Sequence, residues 1–211
     1  KIYEQISERY KNLPTSIFSK IMKMSVEDKN VISLGPGEPD FDTPEHIKEA
    51  ALKSLDKGYT HYSSPQGLKE LREAISQKLK RENDIEVSPE GIIVTCGSQE
   101  ALFLATMALV DPGEKVIIPD PGFLAYRPMI ESLTAVPVPI KLREDMEFNF
   151  ELDDLERLID RSTRAIIINS PNNPTGSVLG KKLLEKIADI AIQHDLIIFS
   201  DEAYEKFVYE K

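Results

Sequence analysis

The chain has 211 residues, of which 41% are hydrophobic and 29% charged, as is typical of a folded globular protein. Its 36 acidic and 26 basic residues give a formal net charge of -10. This argues against nucleic acid as a partner, because phosphate backbones attract Lys and Arg. No apolar run reaches the roughly 18 residues of a membrane-spanning helix. The lone Cys96 forms no internal disulfide, so we expect a cytoplasmic protein, and the three scattered histidines predict no metal site.

Two helices are predicted before residue 90. The preceding run VISLGPGEPDFDTP contains too many glycines and prolines for regular structure. Thr43, Pro44 and Glu45 then predict a helix start, with Thr43 as the N-cap and Pro44 at the first position. This helix is expected to end at Gly58. A second helix is predicted to begin near Gly67, with its leucines and isoleucines on one face.

From residue 91 onward, short apolar runs alternate with helical patterns. The runs predict strands at Ile92–Thr95, Val116–Pro119, Ala135–Ile140, Ala165–Asn169 and Leu196–Ser200. The helical patterns cover Glu100–Val110, Tyr126–Leu133, Leu152–Ile159 and Lys181–His194. Strands that are apolar throughout and alternate with helices indicate a mostly parallel sheet covered on both faces. We therefore predict an α/β fold, and we expect its final strands to lie outside this sequence.

Unusual residues follow the first two of these predicted strands, and open α/β sheets bind ligands at the carboxyl ends of their strands. Gly97, Ser98 and Gln99 open a helix, where free backbone N–H groups and the positive end of the helix dipole suit a phosphate. A plain turn capped by Ser98 is the alternative. Phe123 follows the two prolines of PDPGF. Its ring suits either stacking on a flat heterocycle or a place in the core.

The last two strands end in amides and a carboxylate. The turn NSPNNPTG places Asn173 where its amide can donate to a ring oxygen, although a purely structural turn is also consistent with it. Asp201 directly follows an apolar strand, where a carboxylate needs a cation or a strong donor unless it caps the next helix. Tyr204 comes three residues later. Taken together, these strand ends predict a site for a phosphate-bearing aromatic cofactor whose ring nitrogen is protonated.

The chain resembles class I/II aminotransferases, which are fold-type I pyridoxal-phosphate enzymes. Segments similar to the family's motifs occur in the family's order: LGPGEPDFDTP, YSSPQGLKELREAI, CGSQEALF, PDPGFLAY, NSPNNPTG and SDEAYEKF. The resemblance implies that residues 1–42 form an N-terminal segment belonging to the small domain and the substrate-side loop. It implies that residues 43–211 belong to the large domain that binds pyridoxal 5'-phosphate, truncated before the Schiff-base lysine.

The resemblance also implies a role for each strand end. In the family, residues matching Gly97, Ser98 and Gln99 bind the cofactor phosphate. The residue matching Phe123 stacks on the pyridine ring, and the one matching Asp201 pairs with the pyridine nitrogen. A carboxylate there favours the protonated nitrogen that makes the cofactor an electron sink.

Further matches concern the ring oxygen, the substrate and a partner subunit. Asn173 and Tyr204 match the residues that hydrogen-bond the ring hydroxyl oxygen. Gly37 matches the glycine whose backbone meets the substrate carboxylate. Tyr62 matches a tyrosine that enters the neighbouring subunit's site and touches the phosphate, which implies a homodimer with shared active sites. For Tyr62 a core or surface role is the alternative.

This sequence also departs from the family's pattern at two places. The catalytic lysine that forms the Schiff base is expected beyond Lys211, so the 211-residue fragment is predicted to be inactive by itself. Gly122 stands where an aromatic residue often precedes the stacking residue in the family. That substitution predicts a looser wall of the cofactor pocket.

The predicted function is transfer of an amino group from an amino acid, with aromatic amino acids or aspartate favoured, to a 2-oxo acid such as 2-oxoglutarate. One alternative is a pyridoxal-phosphate-dependent β-lyase on the same scaffold, because the motifs set up the cofactor and not the outcome of the reaction. A second alternative is a non-catalytic regulator that retains the cofactor fold.

Overall fold

The structure is a computed structural model that describes residues 5–11, 24, 27, 32, 37 and 39–209. Most of the predicted N-terminal segment, residues 1–42, lies outside the described residues. The chain forms two compact units, one of Lys1–Leu13 with Val94–Lys211 and the other of Pro14–Ile93. The domain boundary predicted at residue 42 stays a prediction.

The structure describes helices and strands in both units. In chain order they are α1 (Glu8–Lys11), α2 (Glu45–Asp56), α3 (Lys69–Asn83), α4 (Ser98–Leu109), β1 (Lys115–Asp120), α5 (Tyr126–Ser132), β2 (Val136–Lys141), α6 (Leu152–Leu158), β3 (Thr163–Asn169), α7 (Lys181–Gln193) and β4 (Ile197–Asp201). Two short 3-10 helices cover Pro89–Gly91 and Glu144–Met146. None of the helices in these described ranges has the length and apolar character required to cross a bilayer.

In the smaller unit, α2 and α3 confirm the two predicted helices. The N-cap of α2 is Pro44, and no side chain caps the helix, so the prediction of Thr43 as N-cap is wrong. Pro44 has a helical φ but an extended ψ of 141°, and the helix therefore begins one residue later than predicted. The C-cap of α3 is Asp84, whose φ of 56° is left-handed, a common way to end a helix.

The larger unit contains a four-stranded sheet in the order β2-β1-β3-β4. Every pair of neighbouring strands is parallel. The predicted α/β fold with a parallel sheet is confirmed. Because crossover connections carry helices over both faces of such a sheet, its strands are apolar on both faces. In β3, five consecutive buried residues end at Asn169.

Two hydrophobic clusters cover the two faces of this sheet. Successive residues of a strand point to opposite faces; accordingly Val116 and Ile118 belong to one cluster and Ile117 to the other. α4 and α5 pack in the first cluster, which includes Tyr126, Ile130 and Phe199. α6 and α7 pack in the second, which includes Leu155, Ile187 and Ile190. The sheet is therefore sandwiched by helices.

The strand predicted at Ile92–Thr95 is wrong. Ile92 has extended backbone angles, but residues 92–95 form no part of a strand. The N–H of Ile92 donates instead to the carbonyl of Pro89, at 3.3 Å. Extended backbone becomes a strand only when a neighbouring strand pairs with it, and the sheet described here has β2 and β4 at its edges.

Candidate functional site

The carboxyl ends of β3 and β4 bring polar residues together at one edge of the sheet. Asn169, the last residue of β3, lies opposite Asp201, the last residue of β4. Asp120 ends β1 on the other side of β3. In parallel sheets this edge is where ligands bind. The parallel order of the strands therefore gathers residues that are far apart in sequence.

The Asp201 carboxylate is held by two neutral donors. The Tyr126 hydroxyl donates to its Oδ2 at 2.7 Å, and the backbone N–H of Ala203 donates to its Oδ1 at 3.2 Å. Burial, and then the hydrogen bond to Asp201, raise the pKa of Tyr126 above the usual range of a phenol. The phenol therefore keeps its proton and acts as a donor. The negative charge remains on Asp201, where it suits a cationic ligand group.

Phe123 is placed by the same tyrosine. Its ring meets the ring of Tyr126 edge to face, with centroids 5.5 Å apart and planes at 81°, an arrangement that aromatic pairs favour. Phe123 is partly buried against the first hydrophobic cluster. The structure thus links Phe123 to Asp201 through Tyr126. Its predicted role in stacking on a pyridine ring stays a prediction.

Asn169 links the end of β4 to the turn that carries Asn173. Its side-chain amide donates to the backbone carbonyl of Asp201 at 3.0 Å, and its Oδ1 accepts from the backbone N–H of Asn173 at 2.7 Å. Asn169 is buried, so both polar ends of its amide are used within the protein. This residue fixes the Asn173 backbone relative to Asp201.

A second buried amide ties the same turn to the turn after β1. Asn172 donates to the carbonyl of Pro121 at 3.3 Å and to the hydroxyl of Thr175 at 2.8 Å. The backbone of Asn172 also bonds to Ser177 and Gly176. The segment that the sequence identified as a turn is therefore anchored at both ends. It presents Asn173 from a fixed backbone.

The start of α4 has no side-chain cap and follows a glycine with a positive φ. Gly97 has a φ of 91°, a left-handed value that favours glycine. No side chain caps the helix at this end, so the alternative of a plain turn capped by Ser98 is wrong. Ser98 and Gln99 form the exposed first turn. Backbone N–H groups at such an end bind anions, and binding of a phosphate by Gly97, Ser98 and Gln99 stays a prediction.

Three predicted site residues lie away from the strand ends described so far. Tyr204 lies just beyond β4, and Gly37 and Tyr62 belong to the smaller unit. The Tyr204 ring packs edge-on against Phe207, with centroids 6.0 Å apart. It also contributes to the raised pKa of Tyr126, after burial and Asp201. Gly37 and Tyr62 lie in the unit of Pro14–Ile93. The roles expected of all three residues stay predictions.

Gly122 joins β1 to Phe123 in a tight turn. A Cβ at this position would overlap the carbonyl oxygen of Pro119 and lie 2.9 Å from its side-chain Cγ. Gly122→Ala is therefore expected to lower the free energy of unfolding by at least about 2 kcal/mol, because the backbone would have to move. Urea denaturation would measure this change.

Gly180→Ala is a matched control for Gly122→Ala. An added Cβ at Gly180 meets nothing within 4 Å, and its φ of -69° suits any residue. The change there is expected to stay below about 1 kcal/mol, since only a helix N-cap is altered. Equal losses in the two variants would show that the turn at Gly122 tolerates a side chain.

Two residues of the site, Tyr126 and Asn169, are not predicted from the sequence to have a role there. The sequence predicts Tyr126 only as the start of a helix and Asn169 only as the end of a strand. A signal was present for each: a tyrosine three residues after Phe123 and an asparagine ending a buried strand. Neither signal predicts which residue the Tyr126 hydroxyl or the Asn169 amide hydrogen-bonds.

The fold and the site define an α/β protein with a parallel sheet whose carboxyl edge brings polar side chains together. The model of the family "Aminotransferase class I and II" matches residues 29–211. The chain therefore belongs to this family.

Relatives and solved structures agree with this assignment. The chain is 48% identical to an aspartate aminotransferase of Pyrococcus abyssi, over 97% of the chain and 53% of the relative. It is 46% identical to aromatic-amino-acid aminotransferase 2 of Thermococcus litoralis, with the same coverage. An aspartate aminotransferase of Thermus thermophilus, solved with maleate, is 40% identical and superposes with a TM-score of 0.94 over 98% of this chain and 55% of that one. The chain thus spans about half the length of these relatives.

Proposed function

We propose that the whole protein is a pyridoxal-phosphate-dependent aminotransferase. It moves an amino group from an aromatic amino acid or aspartate to a 2-oxo acid such as 2-oxoglutarate. The observation that carries this proposal is the Asp201 carboxylate, which ends a strand and accepts hydrogen bonds from two neutral donors, the Tyr126 hydroxyl and the Ala203 N–H. The names of the relatives support the reaction and both amino-donor classes.

The residues at the sheet edge fit pyridoxal 5'-phosphate. The uncapped start of α4 at Gly97–Gln99 suits its phosphate. An added Cβ at Gly97 would meet nothing within 4 Å, so the backbone there is open to a ligand. Asp201 supplies a negative charge for a protonated ring nitrogen. When bound, the cofactor supplies an electron sink for the substrate's α-carbon.

The remaining residues would orient the ring and shield it from water. Phe123, fixed edge-on by Tyr126, would cover one face of the ring. Asn173, fixed by Asn169, and Tyr204 would hydrogen-bond its hydroxyl oxygen. Gly37 would meet the substrate carboxylate through its backbone. These assignments follow the family motifs residue by residue.

We also propose a homodimer in which Tyr62 reaches the partner subunit's cofactor phosphate. The Tyr62 side chain is fully exposed in the described part of the chain, so it is available for such a contact. A solution mass of a single subunit for the whole protein would exclude this arrangement.

The proposed activity is tested by incubating the whole protein and cofactor with 2-oxoglutarate and either aspartate or an aromatic amino acid. We expect glutamate to form in step with the 2-oxo acid of the donor, because transamination conserves the amino group. Pyruvate and ammonia from an amino acid with a β leaving group, without glutamate, would instead identify a β-lyase. Neither product set, with no cofactor bound, would favour the non-catalytic regulator.

A further inference from the structure

The buried hydroxyl of Tyr126 has no role in the proposed function so far. Tyr126 is the first residue of α5 and is 1% exposed within the first hydrophobic cluster. A hydroxyl among apolar side chains costs free energy unless it has a partner. The partner is the Asp201 carboxylate, 2.7 Å away. Such a charge-assisted hydrogen bond is stronger than one between neutral groups.

Two donors bind the Asp201 carboxylate, and a third donor binds the backbone carbonyl of the same residue. Tyr126 holds Oδ2, and the N–H of Ala203 holds Oδ1. Asn169 holds the backbone carbonyl of Asp201 at 3.0 Å. Of the two donors to the carboxylate, only Tyr126 acts through a side chain from another element of the fold. Its removal would leave Oδ2 without that donor while the backbone contacts stay in place.

The chemical character of the donor matters as much as its position. A lysine or arginine in this place would neutralise the charge of Asp201 and weaken its attraction for a second cation. A phenol stabilises the carboxylate and remains neutral itself. Because burial and Asp201 raise the pKa of Tyr126, its proton stays on the phenol oxygen. The negative charge therefore remains available at the sheet edge.

We propose that Tyr126 is a positioning residue of the cofactor site, whose hydroxyl orients the Asp201 carboxylate and keeps its negative charge directed at the pyridine nitrogen of pyridoxal 5'-phosphate. This inference rests on the proposed function. It assigns to Tyr126 no contact with the substrate or the cofactor. Its effect is on where the proton lies between Asp201 and the ring nitrogen.

Tyr126→Phe in the whole protein, reconstituted with cofactor labelled with 15N in the ring, tests this role. The ring of residue 126 and its packing are kept, and only the donor is lost. We expect the 15N signal to move toward that of the unprotonated nitrogen, because a carboxylate with one donor fewer holds the shared proton more strongly. Cofactor affinity is expected to fall about tenfold, the effect of losing one hydrogen bond to a charged group.

Tyr209→Phe is the matched control, since it removes the same atom from a side chain that is 88% exposed. The control is expected to keep the wild-type signal and affinity. An unchanged 15N signal in Tyr126→Phe, with cofactor bound as in wild type, would overturn the positioning role and leave the proposed function standing. If wild-type protein bound no cofactor, both proposals would fail.

A second replacement covers the case in which Tyr126→Phe does not fold. Fluorotyrosine at position 126 keeps the ring and the hydroxyl but makes the phenol a stronger donor. The 15N signal is then expected to move in the opposite direction, toward the fully protonated nitrogen. A shift in the same direction as that expected for phenylalanine, or no shift, would contradict the proposal.

Discussion

Asp201→Asn is expected to lower kcat/KM for both amino-acid donors by at least about 10²-fold. Asparagine keeps the size of the side chain and an oxygen that accepts from Tyr126, whose hydroxyl lies 2.7 Å from the carboxylate. It removes the negative charge. Removing one partner of a shielded charge pair costs about 3–5 kcal/mol, and 1.36 kcal/mol corresponds to a factor of ten in rate. Steady-state kinetics of the whole protein would measure the loss.

The neighbouring Glu202 provides the control for Asp201→Asn. Glu202 is exposed, and its carboxylate accepts from the hydroxyl of Ser200 at 2.7 Å. Glu202→Gln removes the same charge one residue away, so kcat/KM is expected to stay within about twofold of wild type, as for most surface substitutions. A loss below about tenfold in Asp201→Asn would mean that Asp201 is not the partner of a cationic cofactor group.

Ile117→Ala is expected to lower the free energy of unfolding by about 3–4 kcal/mol. Ile117 lies in the middle of β1 and is fully buried in the second hydrophobic cluster. β1 is flanked by β2 and β3, so the backbone around the lost side chain cannot collapse easily. The expected loss combines the transfer free energy of the removed atoms with the cost of the cavity. Urea denaturation would measure it.

Ile192→Ala is the matched control on α7. Its side chain is 80% exposed, and alanine is the better helix former. A change within about 0.5 kcal/mol is expected. Similar losses in the two variants would show that the cluster around Ile117 is not the core of the sheet unit.

Local sequence patterns predicted most elements of this fold. The apolar runs at Val116–Pro119 and Ala165–Asn169 became the central strands β1 and β3, and the helices that follow them begin and end within a few residues of the predictions. The run Ile92–Thr95 has the same local character but no ladder partner in the sheet described here. Strand propensity is a property of one segment, whereas a β-strand forms only when a second segment pairs with it.

Local patterns also located the main candidates at the sheet edge. Asp201 stood out because a carboxylate directly follows a buried run, and Asn173 because turn formers surround it. Tyr126 did not stand out, since nothing around it in the sequence shows that its hydroxyl would be buried. Its partner lies 75 residues away in the chain. The partner of the Asn169 amide lies 32 residues away.

The sequence by itself determined the class of fold, the order of the family motifs and the positions where polar residues leave apolar strands. These are properties of neighbouring residues, which periodicity and composition record. Tertiary structure alone decided which groups meet at Asp201. The order β2-β1-β3-β4 and the register of β3 with β4 determine which donors lie next to Asp201. These contacts depend on how distant segments pack, because a buried donor and its acceptor need not be close in sequence.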